Sequence, residues 1–172
     1  MGGKEASRGF LYQGFASVLE ALTDKNKWDK IYIEFPTSND KVDIALGAAN
    51  KVIKSIQVKS TINTFSKSDI MVWLRDLIAD IDAPEYELCL IGQCEKSAIT
   101  FKNSIEKFYN NTLDNTAVKS LDGFSTDLLR NKRINFVILP FEIEVLEKIV
   151  RDSLHMLKMI AIGNLTGDPV LK

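Results

Sequence analysis

The chain of 172 residues has only one histidine, His155, and two cysteines, Cys89 and Cys94. A tetrahedral structural zinc site built from Cys and His needs four such ligands, so these three residues cannot form one by themselves. Cys89 and Cys94 lie five positions apart on a strand-like run and face opposite sides of it. We therefore expect no disulfide between them and treat both as small core or edge residues.

An excess of charge of either sign is also missing. The 22 Lys and Arg are offset by 23 Asp and Glu, which leaves a net charge of -1. A protein that attracts nucleic acid through its overall field carries a clear basic excess. Any nucleic-acid-binding surface on this chain must therefore be a local patch of cations.

Long apolar runs are absent, although hydrophobic residues make up 45% of the chain. No run approaches the ~20 residues of a membrane-spanning helix. The first residues, MGGKEASRGF, lack the apolar stretch of a signal peptide. We expect a cytoplasmic protein with no membrane association, consisting of one domain over residues 1–162 and a tail or linker over 163–172.

The hydrophobic pattern predicts alternating groups of helices and strands. The first helix has Ser7 as its N-cap and an apolar stripe of Phe10, Leu11, Phe15, Val18, Leu19 and Leu22. Tyr12 and Phe15 are expected in the core. Ser66 or Ser68 would cap the second helix. Helices are predicted over 7–23, 66–82, 97–109, 124–130 and 142–162, and strands over 31–35, 42–48, 52–60, 86–92 and 134–139. This order predicts an α/β fold, in which a mixed sheet begins with a three-strand meander and is flanked by helices.

Polar residues interrupt three of the predicted strands. Gln57 and Lys59 share one face of the third strand, because alternate side chains point to the same side. Asp43 lies in the second strand and Glu34 near the end of the first. Neighbouring strands are about 4.8 Å apart, so these four side chains can meet in one small volume.

This set of groups is suited to phosphodiester chemistry. Carboxylate oxygens of Asp43 and Glu34, the amide oxygen of Gln57 and the carbonyl of Val58 are hard ligands of the kind that Mg²⁺ prefers. Lys59 could orient a water or stabilise charge on phosphate oxygens. The alternative is that Asp43, Gln57 and Lys59 line a solvated sheet face, and the residue pattern leaves both interpretations open.

The element order and these residues resemble the PD-(D/E)XK nuclease superfamily. Its motif is an acid on the second strand, here Asp43 in VDI, and (D/E)-x-K on the third, here the variant Gln57-Val58-Lys59. The stretch GGKEASRGFLYQGFASVLEAL, followed by IEF, VDI and QVKS, also resembles the double-stranded DNA endonuclease domain of CD-NTase-associated (Cap-type) antiphage effectors. The resemblance covers the first 80 residues by motif and the remainder by element order.

The resemblance implies a restriction-endonuclease-like fold and an active site of Asp43, Gln57 and Lys59, with Glu34 as an added carboxylate. It also implies that Arg8 and Gln13 of the first helix hold the active site or the DNA backbone, where a salt bridge and a helix-to-sheet hydrogen bond are the structural alternatives. Lys54 and Ser60, the last residue of QVKS, are assigned to DNA contacts. The glutamine in place of an acid leaves the number of metal ions open.

The implied function is metal-dependent cleavage of double-stranded DNA in antiphage defence, with Mg²⁺ as cofactor and Mn²⁺ as a substitute. Two cuts in a duplex require two active sites or two turnovers, so a homo-oligomer is expected. The effectors that this chain resembles carry a sensor domain, which implies control by such a domain or by a regulatory partner. The alternative function is a catalytically silent module of the same fold that serves DNA binding or complex assembly.

Overall fold

The structure, a computed structural model, describes residues 2–23 and 27–166, and the side chains of 7–22 and 27–159. Within these ranges the fold is α/β, with a five-stranded mixed sheet flanked by six helices. This arrangement is compatible with the restriction-endonuclease-like sheet expected from the sequence. The elements in chain order are α1 (Gly2–Thr23), β1 (Lys30–Ile33), β2 (Ile44–Ala48), β3 (Lys51–Phe65), α2 (Lys67–Asp80), β4 (Glu85–Cys94), α3 (Lys96–Tyr109), α4 (Asn115–Ser120), α5 (Thr126–Asn131), β5 (Arg133–Leu139) and α6 (Ile143–Thr166).

The strands lie side by side in the order β1-β2-β3-β4-β5. The first three pair antiparallel, whereas β3, β4 and β5 run parallel. Ala49 and Asn50 connect β2 to β3, and both have positive φ angles, 49° and 62°. This conformation is typical of a two-residue hairpin turn whose twist matches the sheet. The meander predicted for the first three strands is therefore confirmed.

A separate hydrophobic core covers each face of the sheet. On one face, Ile56 of β3 packs with Tyr12 and Ala16 of α1 and with Leu146 of α6. On the other face, residues of α2 and α3 pack against alternate positions of β4, among them Leu88. Because Leu88 is in register with Gln57, this second face is the one that Gln57 shares with Lys59. The sheet thus has helices on both sides, and the alternation read from IQVKS is confirmed.

Strand β3 is five residues longer than the predicted end at Ser60 and continues to Phe65. Its pairing with β4 shifts between Ser60 and Thr64, where the two strands approach closely. A Cβ atom on Gly92 would lie 2.5 Å from the carbonyl oxygen of Thr61, and Gly92 has a φ of 142°. Glycine is needed at this position for both reasons.

The orientation and start of α1 differ from the prediction. The helix begins at Gly2, so Ser7 lies within it and is not its N-cap. Phe10, Leu11 and Val18 of the predicted stripe are exposed, whereas Phe15 and Leu19 pack against the core. Tyr12 is buried, as predicted, and donates a hydrogen bond of 2.7 Å to the carbonyl oxygen of Phe141. The apolar residues of α1 occur on more than one side of the helix, and contact with β3 and α6 selects the buried side.

Further details complete the comparison with the expected elements. The short helix α4 was missed, and α6 continues to Thr166, beyond the predicted end at residue 162, because a glycine such as Gly163 costs a helix only about 1 kcal/mol. Residues 167–172 of the predicted tail lie outside the described residues. Cys89 and Cys94 are both free, as expected. No helix among the described residues is long and apolar enough to cross a membrane.

Candidate active site

Asp43 lies directly before β2, where the pairing of β2 with β3 ends. Its backbone amide donates to the carbonyl oxygen of Ile56 at 3.0 Å. Beyond Ile56, β3 is paired only with β4, because the pairing of β2 with β3 ends at Ile44 and Ile56. Asp43 is thereby held beside β3, at the point where the antiparallel pairing of β2 with β3 ends.

Both carboxylate oxygens of Asp43 accept hydrogen bonds. The side-chain amide of Gln13, on α1, donates to Oδ1 at 2.8 Å. The backbone amide of Val58 donates to Oδ2 at 2.6 Å. These two bonds fix the carboxylate between a helix and the central strand, and each oxygen keeps a lone pair for a further partner.

The electrostatic state of Asp43 reflects its partial burial. Burial raises the pKa of Asp43, and the negative charge of Glu34 adds to this effect. The Val58 amide, the charge of Lys59 and the hydrogen bond from Gln13 oppose the rise without cancelling it. An ionised carboxylate in this position is stabilised by additional positive charge nearby.

Gln57 is buried, with 2% of its surface exposed, on the face of β3 that Lys59 shares. Its side-chain oxygen Oε1 has no hydrogen-bond partner in the structure. A buried amide oxygen without a partner costs about 1–3 kcal/mol. An unpaired acceptor one residue from the Val58 amide that binds Asp43 has the chemistry of a ligand for a cation.

Lys59 lies two residues further along β3. Its ammonium nitrogen is 5.7 Å from the centre of the Trp73 ring on α2. Burial lowers the pKa of Lys59, and the charge of Lys41 lowers it further, while the charges of Asp43 and Asp76 raise it. The partly desolvated ammonium is thus set among an aromatic ring, two carboxylates and a second cation.

Glu34 follows β1 and is exposed. Its backbone amide donates to the carbonyl oxygen of Asp43 at 2.6 Å, and its φ of 52° is unusual for a residue other than glycine. A cleft of about 440 Å³ lies beside it, lined by Glu34, Phe35, Pro36, Asp40, Val42 and Asp43. Asp40, which also has a φ of 52°, was missed in the sequence, although the Asn-Asp pair in TSNDK is a signal for such a turn.

The cleft is acidic, but its carboxylates do not converge on one point. Among the described side chains of residues 7–22 and 27–159, no group of three or more His, Cys, Asp or Glu is arranged to hold a metal ion. A metal at this position would depend on the amide oxygen of Gln57 and on a backbone carbonyl in addition to Asp43. The unpaired Oε1 of Gln57 fits such a donor set, and the role of the Val58 carbonyl stays a prediction.

The chain matches no family model, and comparison with curated proteins and with solved structures gives no significant match. The nuclease resemblance therefore depends on the sequence motifs and on the order of the elements.

The four residues assigned to DNA contacts occupy different surroundings. Gln13 joins the site through Asp43, which is the helix-to-sheet hydrogen bond that was the structural alternative. Arg8 places its guanidinium carbon 5.3 Å from the centre of the Phe141 ring. Ser60 is exposed, and Lys54 lies on the face of β3 opposite to Lys59, where Glu20 and Glu87 each approach its ammonium to 2.8 Å. The ammonium of Lys54 is thus already engaged.

Proposed function

We propose that this chain is a metal-dependent endonuclease domain that hydrolyses phosphodiester bonds of double-stranded DNA, with Asp43, Gln57 and Lys59 as its active site. The observation that carries the proposal is the unpaired, buried Oε1 of Gln57, one residue along β3 from the Val58 amide that binds the carboxylate of Asp43. An acceptor left without a partner at this position favours an oxygen-ligated cation.

In this proposal, Asp43 and Gln57 hold Mg²⁺, with the Val58 carbonyl and Glu34 as further oxygen donors. When bound, Mg²⁺ supplies polarisation of a phosphoryl oxygen and a more acidic water. Hydrolysis forms a bond from the water oxygen to phosphorus and breaks one bridging phosphorus–oxygen bond. Lys59 orients the water and balances the negative charge that grows on the phosphate oxygens, and its partial burial strengthens this effect.

The substrate class follows from local charge and from the resemblance. Lys41 and Lys59 are close enough for their charges to interact, so two cations lie together near Asp43. The charges of Asp43 and Asp76 oppose these two cations, so a polyanion is favoured at this site once a bound metal ion offsets the carboxylates. The resemblance to antiphage effectors points to duplex DNA and to control by a sensor domain or regulatory partner, with RNA as the substrate to compare.

A catalytically silent module of the same fold, used for DNA binding or assembly, is the second candidate. It is favoured by the lack of a three-ligand acidic group among the described residues. The two candidates differ in metal binding, since the silent module would show no saturable site for Mg²⁺ or Mn²⁺ that depends on Asp43.

Plasmid cleavage tests the proposal. Wild type, Lys59→Ala and Lys119→Ala are compared with Mg²⁺, with Mn²⁺ and with EDTA, on duplex DNA and on RNA. Lys119 is an exposed lysine on α4 and serves as the matched control. We expect metal-dependent nicking or linearisation of DNA that Lys59→Ala slows by about 10²–10³ and that Lys119→Ala leaves unchanged.

Two results would count against the nuclease. Equal cleavage by wild type and Lys59→Ala would place the activity elsewhere. Absence of cleavage together with absence of metal binding would favour the silent module. For the expected homo-oligomer, sedimentation is the measurement, and a monomer that cuts both strands of a duplex in one binding event would contradict it.

A further inference from the structure

Asp80, the last residue of α2, forms a cluster of hydrogen bonds with the loop that joins β1 to β2. Its carboxylate accepts from the hydroxyl of Thr37, from the backbone amide of Asn39 at 3.0 Å and from the backbone amide of Lys41 at 2.9 Å. The side-chain amide of Asn39 donates to it as well, at 2.9 Å. One side chain thus receives four hydrogen bonds from a segment of five residues.

The same loop forms the wall of the proposed active site. Glu34 and Asp40 line the cleft next to Asp43, and both have left-handed backbone conformations with φ of 52°. Such conformations persist in residues other than glycine when surrounding contacts hold them. Lys41, whose amide is bound by Asp80, is two residues from Asp43 and acts electrostatically on Lys59.

We propose that Asp80 is a positioning residue for the active site: by holding residues 37–41 it sets the placement of Glu34 and Asp43 for metal binding. Asp80 contacts neither of these side chains and acts only through the loop. The inference rests on the proposed function, because it assigns Asp80 a role in a metal site. A loop anchor with no such role would stabilise the fold and leave metal affinity unchanged.

The sharpest perturbation is Asp80→Asn, which keeps the shape of the side chain. An asparagine has one acceptor oxygen, and its NH₂ group faces donors that the second carboxylate oxygen now accepts. Asp82→Asn is the matched control, because Asp82 lies two residues further along and pairs with Lys132, away from the loop. Asn39→Ala, which removes one of the four donors, is a milder second variant.

Two measurements examine the loop and the metal separately. Amide hydrogen exchange at Asn39 and Lys41 reports whether Asp80 holds the loop. Binding of Mn²⁺, followed by electron paramagnetic resonance, reports metal affinity without any substrate. We expect Asp80→Asn to speed hydrogen exchange at both amides by about tenfold, since hydrogen bonds to a charged acceptor are lost. We expect the same variant to weaken Mn²⁺ binding by about tenfold. Asp82→Asn should change neither by more than about twofold.

Unchanged exchange in Asp80→Asn would overturn the proposal, and so would faster exchange with wild-type Mn²⁺ affinity. If Asp80→Asn does not fold, Asn39→Ala decides: weaker Mn²⁺ binding supports the positioning role, and unchanged binding overturns it. If the wild type binds Mn²⁺ but cuts no nucleic acid, the nuclease proposal fails. The comparison of Mn²⁺ affinity between wild type and Asp80→Asn still tests the positioning role of Asp80. A wild type without a Mn²⁺ site would overturn both.

Discussion

Replacing Lys54 by Met should show how much of the free energy of unfolding depends on one buried cation on the α1 side of the sheet. Lys54 has 11% of its side chain exposed and lies 2.8 Å from carboxylate oxygens of both Glu20 and Glu87, whose side chains are 10% and 7% exposed. Glu85 is 3.7 Å away. Burial alone would lower the pKa of Lys54, but the charges and hydrogen bonds of Glu87 and Glu20 raise it well above its usual value.

The expected magnitude follows from what the substitution leaves behind. Methionine matches the length and apolar stem of lysine, so packing changes little, while two buried carboxylates lose their nearest cation. Removing one partner of a buried ion pair typically costs about 3–5 kcal/mol. For a domain of this size, that corresponds to a fall in Tm of roughly 6–20 °C.

The deficit should depend on pH with a defined sign. Burial raises the pKa of Glu87, and the charge of Lys54 opposes the rise. Without Lys54 the folded-state pKa is raised further, whereas the unfolded carboxyl titrates near 4.3. The free-energy penalty for the charged Glu87 is therefore complete above its raised folded-state pKa and disappears below its unfolded-state pKa. The stability deficit of Lys54→Met should thus shrink as the pH falls from 7 to about 4.

Urea unfolding of wild type, Lys54→Met and the control Lys107→Met at several pH values measures this. Lys107 pairs with Asp114 at the surface, with side chains 44% and 51% exposed, so its loss should cost no more than about 1 kcal/mol. A double variant that adds Glu87→Gln should recover part of the loss. Equal deficits for the two lysine variants at pH 7, or a Lys54→Met deficit that grows in acid, would refute the reasoning.

Two further substitutions examine the site and a helix end. Without metal, Gln57→Met should raise the free energy of unfolding by about 1–2 kcal/mol, because it removes an unpaired buried oxygen. It should also abolish thermal stabilisation by Mg²⁺, whereas the control Gln93→Met, at an exposed position, should not. Stabilisation by Mg²⁺ that survives in Gln57→Met would contradict the ligand role. Ser66→Ala should lower the free energy of unfolding by about 1 kcal/mol, since Ser66 Oγ accepts a hydrogen bond from the Asp69 amide at the start of α2. Ser125→Ala, at an N-cap without such a bond, should lower it by less in the same chemical unfolding measurement. Equal losses would count against the capping role of Ser66.

Part of the site was predictable because it depends on local spacing. Alternation along a strand places Gln57 and Lys59 on one face whatever the rest of the fold. The antiparallel pairing of β2 with β3 brings Asp43 beside Ile56 and Val58, where its charge acts on Lys59. Asp80 was not predictable in this way. It is separated by some forty residues from the loop that it binds, and an aspartate at the end of a helix carries no signal of those partners.

The sequence by itself determined the alternation of helices and strands, the meander and a serine cap on α2, with Ser66 and Ser68 both open, because these depend on periodicity and on bonds between residues a few positions apart. Only the tertiary structure decided which side of α1 is buried, that Gln13 reaches Asp43, and that Lys54 is enclosed by Glu20 and Glu87. These outcomes depend on packing between elements distant in the chain. The energy of a buried charge or an unpaired oxygen is set by its surroundings, which no local pattern records.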